Sequence, residues 1–388
     1  MGISSDLIPL SAPVIIPEML TDLNHRLASG WVSTAGPAVR EFEQALEDFV
    51  GIGHGIATQS GTAALHVSLV ALGLGPGDGI IVPDLTFIAT ANTVQYIGAT
   101  PILVDVKASD WQMDLDLLEE YLTHQCHSTD HGLKDSHTGC IVRAVIAVHA
   151  LGAIGEMNRL QEICQTHELV LIEDAAQSLG SIRDSQSAGT FGEIATLSFN
   201  GNKILTTGGG GMVLTNNPEL ADRVRLLINQ AKIPGKSYDH SDVGYNYRMP
   251  AINAALGLAQ MPYLAEWIQQ KRILGQRYRA LLEPMGVNFQ QLGDSKHSNH
   301  WLVTGRFQDP IMVQEALEAA SIMARPLWTP LHQQAPYQDF PFITRDRISE
   351  TIHGEALSLP SSANLSEDQW QRIESSLKRA LAFTRSTP

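Results

Sequence analysis

The chain has 388 residues, 44% of them hydrophobic and 17% charged, enough apolar material for one large globular domain and a smaller one. A formal charge of −15 leaves no basic excess to neutralise a phosphate backbone, which makes nucleic acid a poor partner. The three cysteines, Cys126, Cys140 and Cys164, are too few and too irregularly spaced for a disulfide framework or a CxxC metal site and fit a reducing cytoplasm.

The N-terminal stretch MGISSDLIPLSAPVIIPEML has no basic region, and Pro9, Pro13 and Pro17 interrupt any helix there, so no export signal is expected. Met1-Gly2 followed by Ser5 and Asp6 is only a weak likeness to a myristoylation signal. No run of about 18 consecutive apolar residues occurs, which argues against a membrane span. Between residues 40 and 230, short apolar runs alternate with helical patterns. Strands are predicted at Ile80–Val82, Ile102–Val104, Ala144–Val148, Leu169–Ile172, Thr196–Phe199 and Met212–Leu214. Helices are predicted at Ala63–Leu72, Ile88–Ile97, Met157–His167 and Pro218–Asn229, the last with proline in its first turn. This alternation predicts an α/β domain whose largely parallel sheet is covered on both faces.

Residues 121 to 140 hold His124, His127, His131 and His137 with two cysteines. Their polar, glycine-containing context predicts a solvated connection leading to the strand at Ala144, and no zinc-finger spacing supports a metal site. A polar, aromatic stretch around Ser237–Pro250 precedes a long helical pattern, Ala251–Leu282. We place the domain boundary there: a large domain over 31–248, and a small one made of 1–30 with 249–388 that ends in a helix near Asp368–Phe383.

Three segments carry chemistry. At SGTAALHVSL, from Ser60, a small-residue turn opens into a helix read as amphipathic. Its free N–H groups and dipole make an anion site, with Thr62 as a further donor, although Ser60 or Thr62 would serve equally as a simple N-cap. In LVLIEDAAQS a buried strand runs into Glu173, Asp174 and Gln177, at the strand edge where α/β domains bind ligands. Asp174 there could pair with a protonated pyridine nitrogen, or the two carboxylates could merely cap the next helix. In TLSFNGNKILTTGGGGMVLT, Lys203 occupies a polar turn before four glycines, Gly208 to Gly211. A lysine enclosed near a cationic ring loses its proton and can attack an aldehyde, whereas a surface lysine in a glycine-rich hairpin cannot.

The ordered motifs GTAAL, DLTFIATAN, EDAAQS, SFNGNKILTTGGGG and GYNYRM resemble those of the DegT/DnrJ/StrS sugar aminotransferases. These are fold-type I enzymes that use pyridoxal 5'-phosphate (PLP), and the resemblance runs from SGWVSTAGPAVREFE at Ser29 to RPLWTPLHQQAPY at Arg325. It implies a mostly parallel seven-stranded sheet flanked by helices in the large domain and a smaller α+β C-terminal domain. It also implies that Lys203 links covalently to PLP, Asp174 pairs with the pyridine nitrogen and Gln177 sits near the ring hydroxyl. Phe87 would stack on the ring, Gly61, Thr62 and Ser198 would hold the phosphate, and Asn246 would reach it from the neighbouring subunit of a homodimer. Arg248 and His332 would contact the sugar. Read without the family, Phe87 is better taken as a core residue, Tyr245 and Tyr247 pack a boundary, His149 is a satisfied core histidine and Arg248 is an ion-pair partner.

The activity so implied passes an amino group from L-glutamate, through pyridoxamine 5'-phosphate, to a nucleotide-linked keto sugar for cell-surface glycans, with ping-pong kinetics. The wording of IPLSAP, SGWVSTAG and TTGGGG, with Gly209 where many relatives have glutamate, favours UDP-4-keto-6-deoxy-N-acetylglucosamine. GDP-4-keto-6-deoxymannose and 3-keto sugars are the alternatives. A dehydratase branch replaces the lysine by histidine, which Lys203 argues against. A non-catalytic sensor with the same fold would not need Lys203, Asp174 and Gln177 together.

Overall fold

The computed structural model describes residues 6–235 and 238–384, so the Met1-Gly2 pair lies outside the described residues. All six predicted strands form. In chain order the strands are β1 (His54–Thr58), β2 (Asp78–Pro83), β3 (Thr100–Val104), β4 (Cys126–Thr129), β5 (Gly132–Asp135), β6 (Ile141–Val148), β7 (Val170–Asp174), the short pair β8 (Ile182–Arg183) and β9 (Gln186–Ser187), β10 (Ile194–Ser198) and β11 (Gly211–Thr215). Later strands are β12 (Asn288–Phe289), β13 (Val303–Arg306), β14 (Arg325–Pro326), β15 (Phe342–Ile343) and β16 (Ala356–Leu359).

The main sheet has the order β1-β11-β10-β7-β6-β2-β3-β15. Its pairings from β10 to β15 are parallel, and β11 runs antiparallel to both β1 and β10. The mostly parallel α/β architecture is thus present, with β1 through β3 of that order forming the expected seven strands and β15 an eighth. Successive residues of the central strands divide between two apolar clusters: Ile81, Val145 and Leu171 on one face, Ile80, Ile146 and Ile172 on the other. This is why these strands read as continuous apolar runs.

Sheet direction positions the site. Strands β7 and β10 are parallel, and β1 points the same way because β11 reverses between β10 and β1. Their C-terminal ends therefore lie on one edge of the sheet, and each leads into a segment singled out above: Ser60–Thr62, Asp174–Gln177 and the Lys203 turn. The helix Gly61–Ala71 is buried from Ala63 through Leu69, so it is a central helix enclosed on all sides and not the amphipathic surface helix expected.

Two other expectations need correction. The segment 121–140 is not a loose connection: β4 and β5 form a hairpin, and β5 pairs antiparallel with β6. Among the described residues no group of three or more His, Cys, Asp or Glu is placed to hold a metal ion. The long pattern from Ala251 splits into helices Ala251–Gln260 and Leu264–Leu282 around a 3-10 turn, Met261–Tyr263, where Pro262 lacks the N–H that a continuous helix needs. A third apolar cluster, built on Ile8, Tyr278, Phe289, Leu357 and Trp370, forms beside the sheet β12-β13-β16-β14. Among the described residues no helix is long and apolar enough to cross a membrane.

Candidate active site

The three sheet-edge segments enclose a cavity of about 370 Å³ lined by Ser60, Gly61, Thr62, Phe87, Asp174, Gln177, Ser198, Lys203, Gly209, Trp301 and Trp328 among others. Seven of the ten residues expected to serve the site meet there: Gly61, Thr62, Phe87, Asp174, Gln177, Ser198 and Lys203.

One wall is the start of helix Gly61–Ala71. Ser60 caps it, its side chain accepting from the Ala63 N–H at 3.0 Å. Glycine is required around this turn by close approach: a Cβ on Gly61 would fall 2.8 Å from the Ser198 Cβ, and one on Gly211 would fall 2.5 Å from the Ser60 carbonyl. The outcome is a side-chain-free cradle opposite a helix N-terminus, the electrostatic setting for an anionic group. The exposed face of Phe87 lines the same cavity, immediately before the helix Ala89–Tyr96.

The neighbouring carboxylates of β7 have separate surroundings. Glu173 is fully buried and accepts from the Gly189, Phe191 and Gly192 N–H groups, with His149 Nε2 at 2.8 Å. Asp174 faces the cavity; its Oδ2 accepts from Thr90 at 2.8 Å and its Oδ1 from the Ala176 N–H at 3.2 Å. Gln177 is oriented through its Oε1, which accepts from the Leu151 N–H at 2.7 Å and leaves its amide donors for the cavity side. Leu151 adopts a left-handed φ of 60° in making that contact.

Lys203 sits in the excursion between β10 and β11. Its own N–H donates to the Asn200 carbonyl, and Phe199 closes the excursion by bonding both Gly210 and Thr207. From behind, Asn253 donates to the Thr207 and Gly209 carbonyls and Gln260 to the Thr206 carbonyl, so the helix Ala251–Gln260 holds the glycine run in place. Burial pushes the Lys203 amine down to about 7, with Asp174 pulling the other way. Enclosure thus favours the neutral, nucleophilic form of this amine relative to a solvent-exposed lysine.

Three expected residues lie elsewhere. Asn246 is exposed and bridges to Asn229 of its own chain. Arg248 donates to the Thr34 carbonyl and to Asn229 Oδ1, and lines a separate cavity with Arg40, Glu43 and Arg225. His332, expected as a sugar contact, has both ring nitrogens engaged by carboxylates, Nδ1 with Asp84 at 2.8 Å and Nε2 with Glu350 at 2.9 Å. No ring nitrogen remains for a sugar hydroxyl.

The model of the DegT/DnrJ/EryC1/StrS aminotransferase family matches residues 13–378. The chain belongs to this family. The GDP-perosamine synthase of Caulobacter vibrioides is 37% identical, covering 90% of this chain and 92% of its own. The UDP-N-acetyl-3-dehydro-α-D-glucosamine 3-aminotransferase of Acidithiobacillus ferrooxidans is 32% identical, covering 88% of each. A crystal structure of a DegT/DnrJ/EryC1/StrS aminotransferase from Brucella abortus matches with a TM-score of 0.86 and 30% identity over 93% of this chain and 95% of that one. This DegT-family chain is accordingly a PLP-dependent sugar aminotransferase.

The residues present fit that cofactor. An enclosed amine, a carboxylate, a flat aromatic face and a glycine-lined helix N-terminus converge on one cavity, which matches an aldehyde, a ring nitrogen, a ring face and a phosphate. Sequence reasoning missed Thr90, Trp301 and Trp328. Thr90 was within reach, three positions after Phe87 in DLTFIATAN. Trp328 lies in the quoted segment RPLWTPLHQQAPY, whereas nothing local marks Trp301, and both arrive from about a hundred residues or more beyond Lys203.

Proposed function

We propose that this enzyme transfers an amino group from L-glutamate to the 4-keto position of GDP-linked 4-keto-6-deoxymannose. The observation that carries the sugar is the 37% identity to a GDP-perosamine synthase across 90% of the chain. The sequence alone favoured a UDP-linked acetamido sugar, partly on Gly209. A Cβ at Gly209 would meet only the Gln59 carbonyl, at 3.9 Å, so packing does not force glycine at this position.

PLP bound in this cavity supplies an electron sink for the pair left when the donor carbon loses its proton. Lys203 would carry the cofactor and, as a free amine, would take a proton on Nζ and return it, acting as base and then acid. Asp174 would pair with the ring nitrogen and keep it protonated, Gln177 would donate to the ring hydroxyl, Phe87 would cover the ring face, and Gly61, Thr62 and Ser198 would hold the phosphate. In a homodimer the exposed Asn246 reaches the partner's phosphate site. We read the chain as two domains, 31–248 and 1–30 with 249–388, with the cavity against their boundary.

Product analysis with L-glutamate and a panel of GDP-, UDP- and dTDP-linked keto sugars tests the substrate. Amination of the GDP sugar is expected; reaction of the UDP-acetamido sugar alone would overturn this assignment. Lys203→Ala should abolish turnover and the cofactor's covalent retention after borohydride reduction, and a variant that keeps either would refute the role given to Lys203.

A further inference from the structure

The Lys203 Nζ lies over the ring of Trp301, 3.7 Å from its centroid. This indole is almost fully buried and is held at three points. Its backbone N–H donates to Asn299 Oδ1 at 2.8 Å, its carbonyl accepts from Lys271 Nζ at 3.0 Å, and its Nε1–H donates to the Asn202 carbonyl at 2.8 Å. Asn202 directly precedes Lys203, and its carbonyl also accepts from Ser11 Oγ at 3.1 Å. The ring is therefore fixed against the same turn whose lysine it faces. Asn299 extends the brace by donating to the Gln177 and Leu179 carbonyls.

Two opposing influences act on the amine. Enclosure favours the neutral form, whereas an aromatic face attracts the ammonium through its quadrupole. Among the described residues, Asp174 is the only charged side chain besides Lys203 lining the cavity. Behind the indole, on the helix Leu264–Leu282 and the segment leading to β13, stand the buried Lys271 and His300, burial lowering the proton affinity of both. An ammonium left to Asp174 alone would be drawn to the carboxylate and compete with the group that Asp174 serves.

We propose that Trp301 is the positioning residue for the unlinked Lys203: its indole face receives the ammonium while Lys203 holds a proton, and so keeps that proton in the site and off Asp174. The inference rests on the reading of Lys203 as the cofactor-bearing lysine. The step is a proton held on Nζ, gained from and returned to carbon, with no other bond changed.

Graded fluorination separates this role from a structural one. Trp301 is replaced by nonsense suppression, in the full chain, with 5-fluoro-, 5,7-difluoro- and 5,6,7-trifluorotryptophan. Each fluorine drains charge from the ring face while shape and the indole N–H are retained. The readout is the pH midpoint for acylation of Lys203 by acetic anhydride, followed by peptide mass spectrometry, in the cofactor-free protein and with pyridoxamine 5'-phosphate added. The midpoint should fall stepwise, by roughly one and a half units across the series, the size to which a desolvated cation–π contact converts. A midpoint that stays constant or rises would overturn the inference. Borohydride reduction of the PLP-loaded protein, mapped in parallel, tests the underlying reading. Label on a residue other than Lys203 refutes that reading, whereas label on Lys203 with an unresponsive midpoint refutes only the role of Trp301.

Discussion

Glu173 and Asp174 show how strand geometry divides neighbouring residues of the same charge. Successive side chains of β7 point to opposite faces, so Glu173 is absorbed by three backbone N–H groups and His149 while Asp174 turns to the cavity. Only Asp174 is available to a ligand. Asp174→Asn keeps the shape and the acceptor for Thr90 but removes the charge that would hold a ring nitrogen protonated. We expect kcat to fall by roughly a hundredfold or more, in the range seen when an electrostatic stabiliser is removed from an enclosed site. The same change should lower the Lys203 proton affinity further, because Asp174 is the charge that opposes burial there. Steady-state rates with L-glutamate and the pH dependence of Lys203 acylation measure the two effects separately. A variant with wild-type rates would remove Asp174 from the cofactor's electronics.

At the scale of elements, the site depends on how closely β11 approaches the start of the helix Gly61–Ala71. A Cβ on Gly211 would lie 2.5 Å from backbone atoms of Ser60, where no side-chain rotation can relieve the clash. Gly211→Ala should therefore destabilise the fold by about 3 kcal/mol, the upper end of overpacking costs, and weaken PLP binding because the Ser60–Thr62 turn must move. Thermal unfolding together with PLP titration checks this, and an unchanged Tm would show that the turn yields easily. The sequence made the glycine run legible but not which glycine bears the contact. It likewise marked every central parallel strand, since these are apolar on both faces. It hid β1, where His54 and Gly55 break the apolar pattern, and the β4–β5 hairpin, whose polar exposed residues resemble a loop. The cofactor side of the site was readable because each motif sits at the end of one strand. The Trp301 and Trp328 wall was not, because it depends on how a distant segment packs against that strand edge.

At the scale of the whole molecule, His332 joins the segment 331–350 to the sheet. Asp84, just after β2, accepts from the His332 backbone N–H and from Ser349 Oγ as well as pairing with the ring, while the imidazole stacks on Phe342 of β15 with centroids 4.0 Å apart. Asp105, just after β3, accepts from the Ile348 and Ser349 N–H groups. The clasp therefore fastens two strand ends to the segment that carries β15. Burial opposes protonation of His332, but Asp84 and Glu350 outweigh it and raise its affinity above the ordinary 6.5. A proton bound more tightly in the folded state stabilises fully below the unfolded value and is lost as pH rises through the higher folded one. The buried Lys203 and Lys271, both pushed down to about 7, act in the opposite sense, since the unfolded chain binds their protons more tightly and stability grows with rising pH. Total stability thus mixes the two trends, whereas the difference between wild type and His332→Gln cancels the lysines. That difference should favour wild type at about pH 6 and shrink steadily toward pH 9 or so, as the imidazole loses its second donor. Denaturant unfolding of both proteins across this range gives the curve, and a gap that is flat or widens with pH would mean that the clasp holds a neutral histidine throughout.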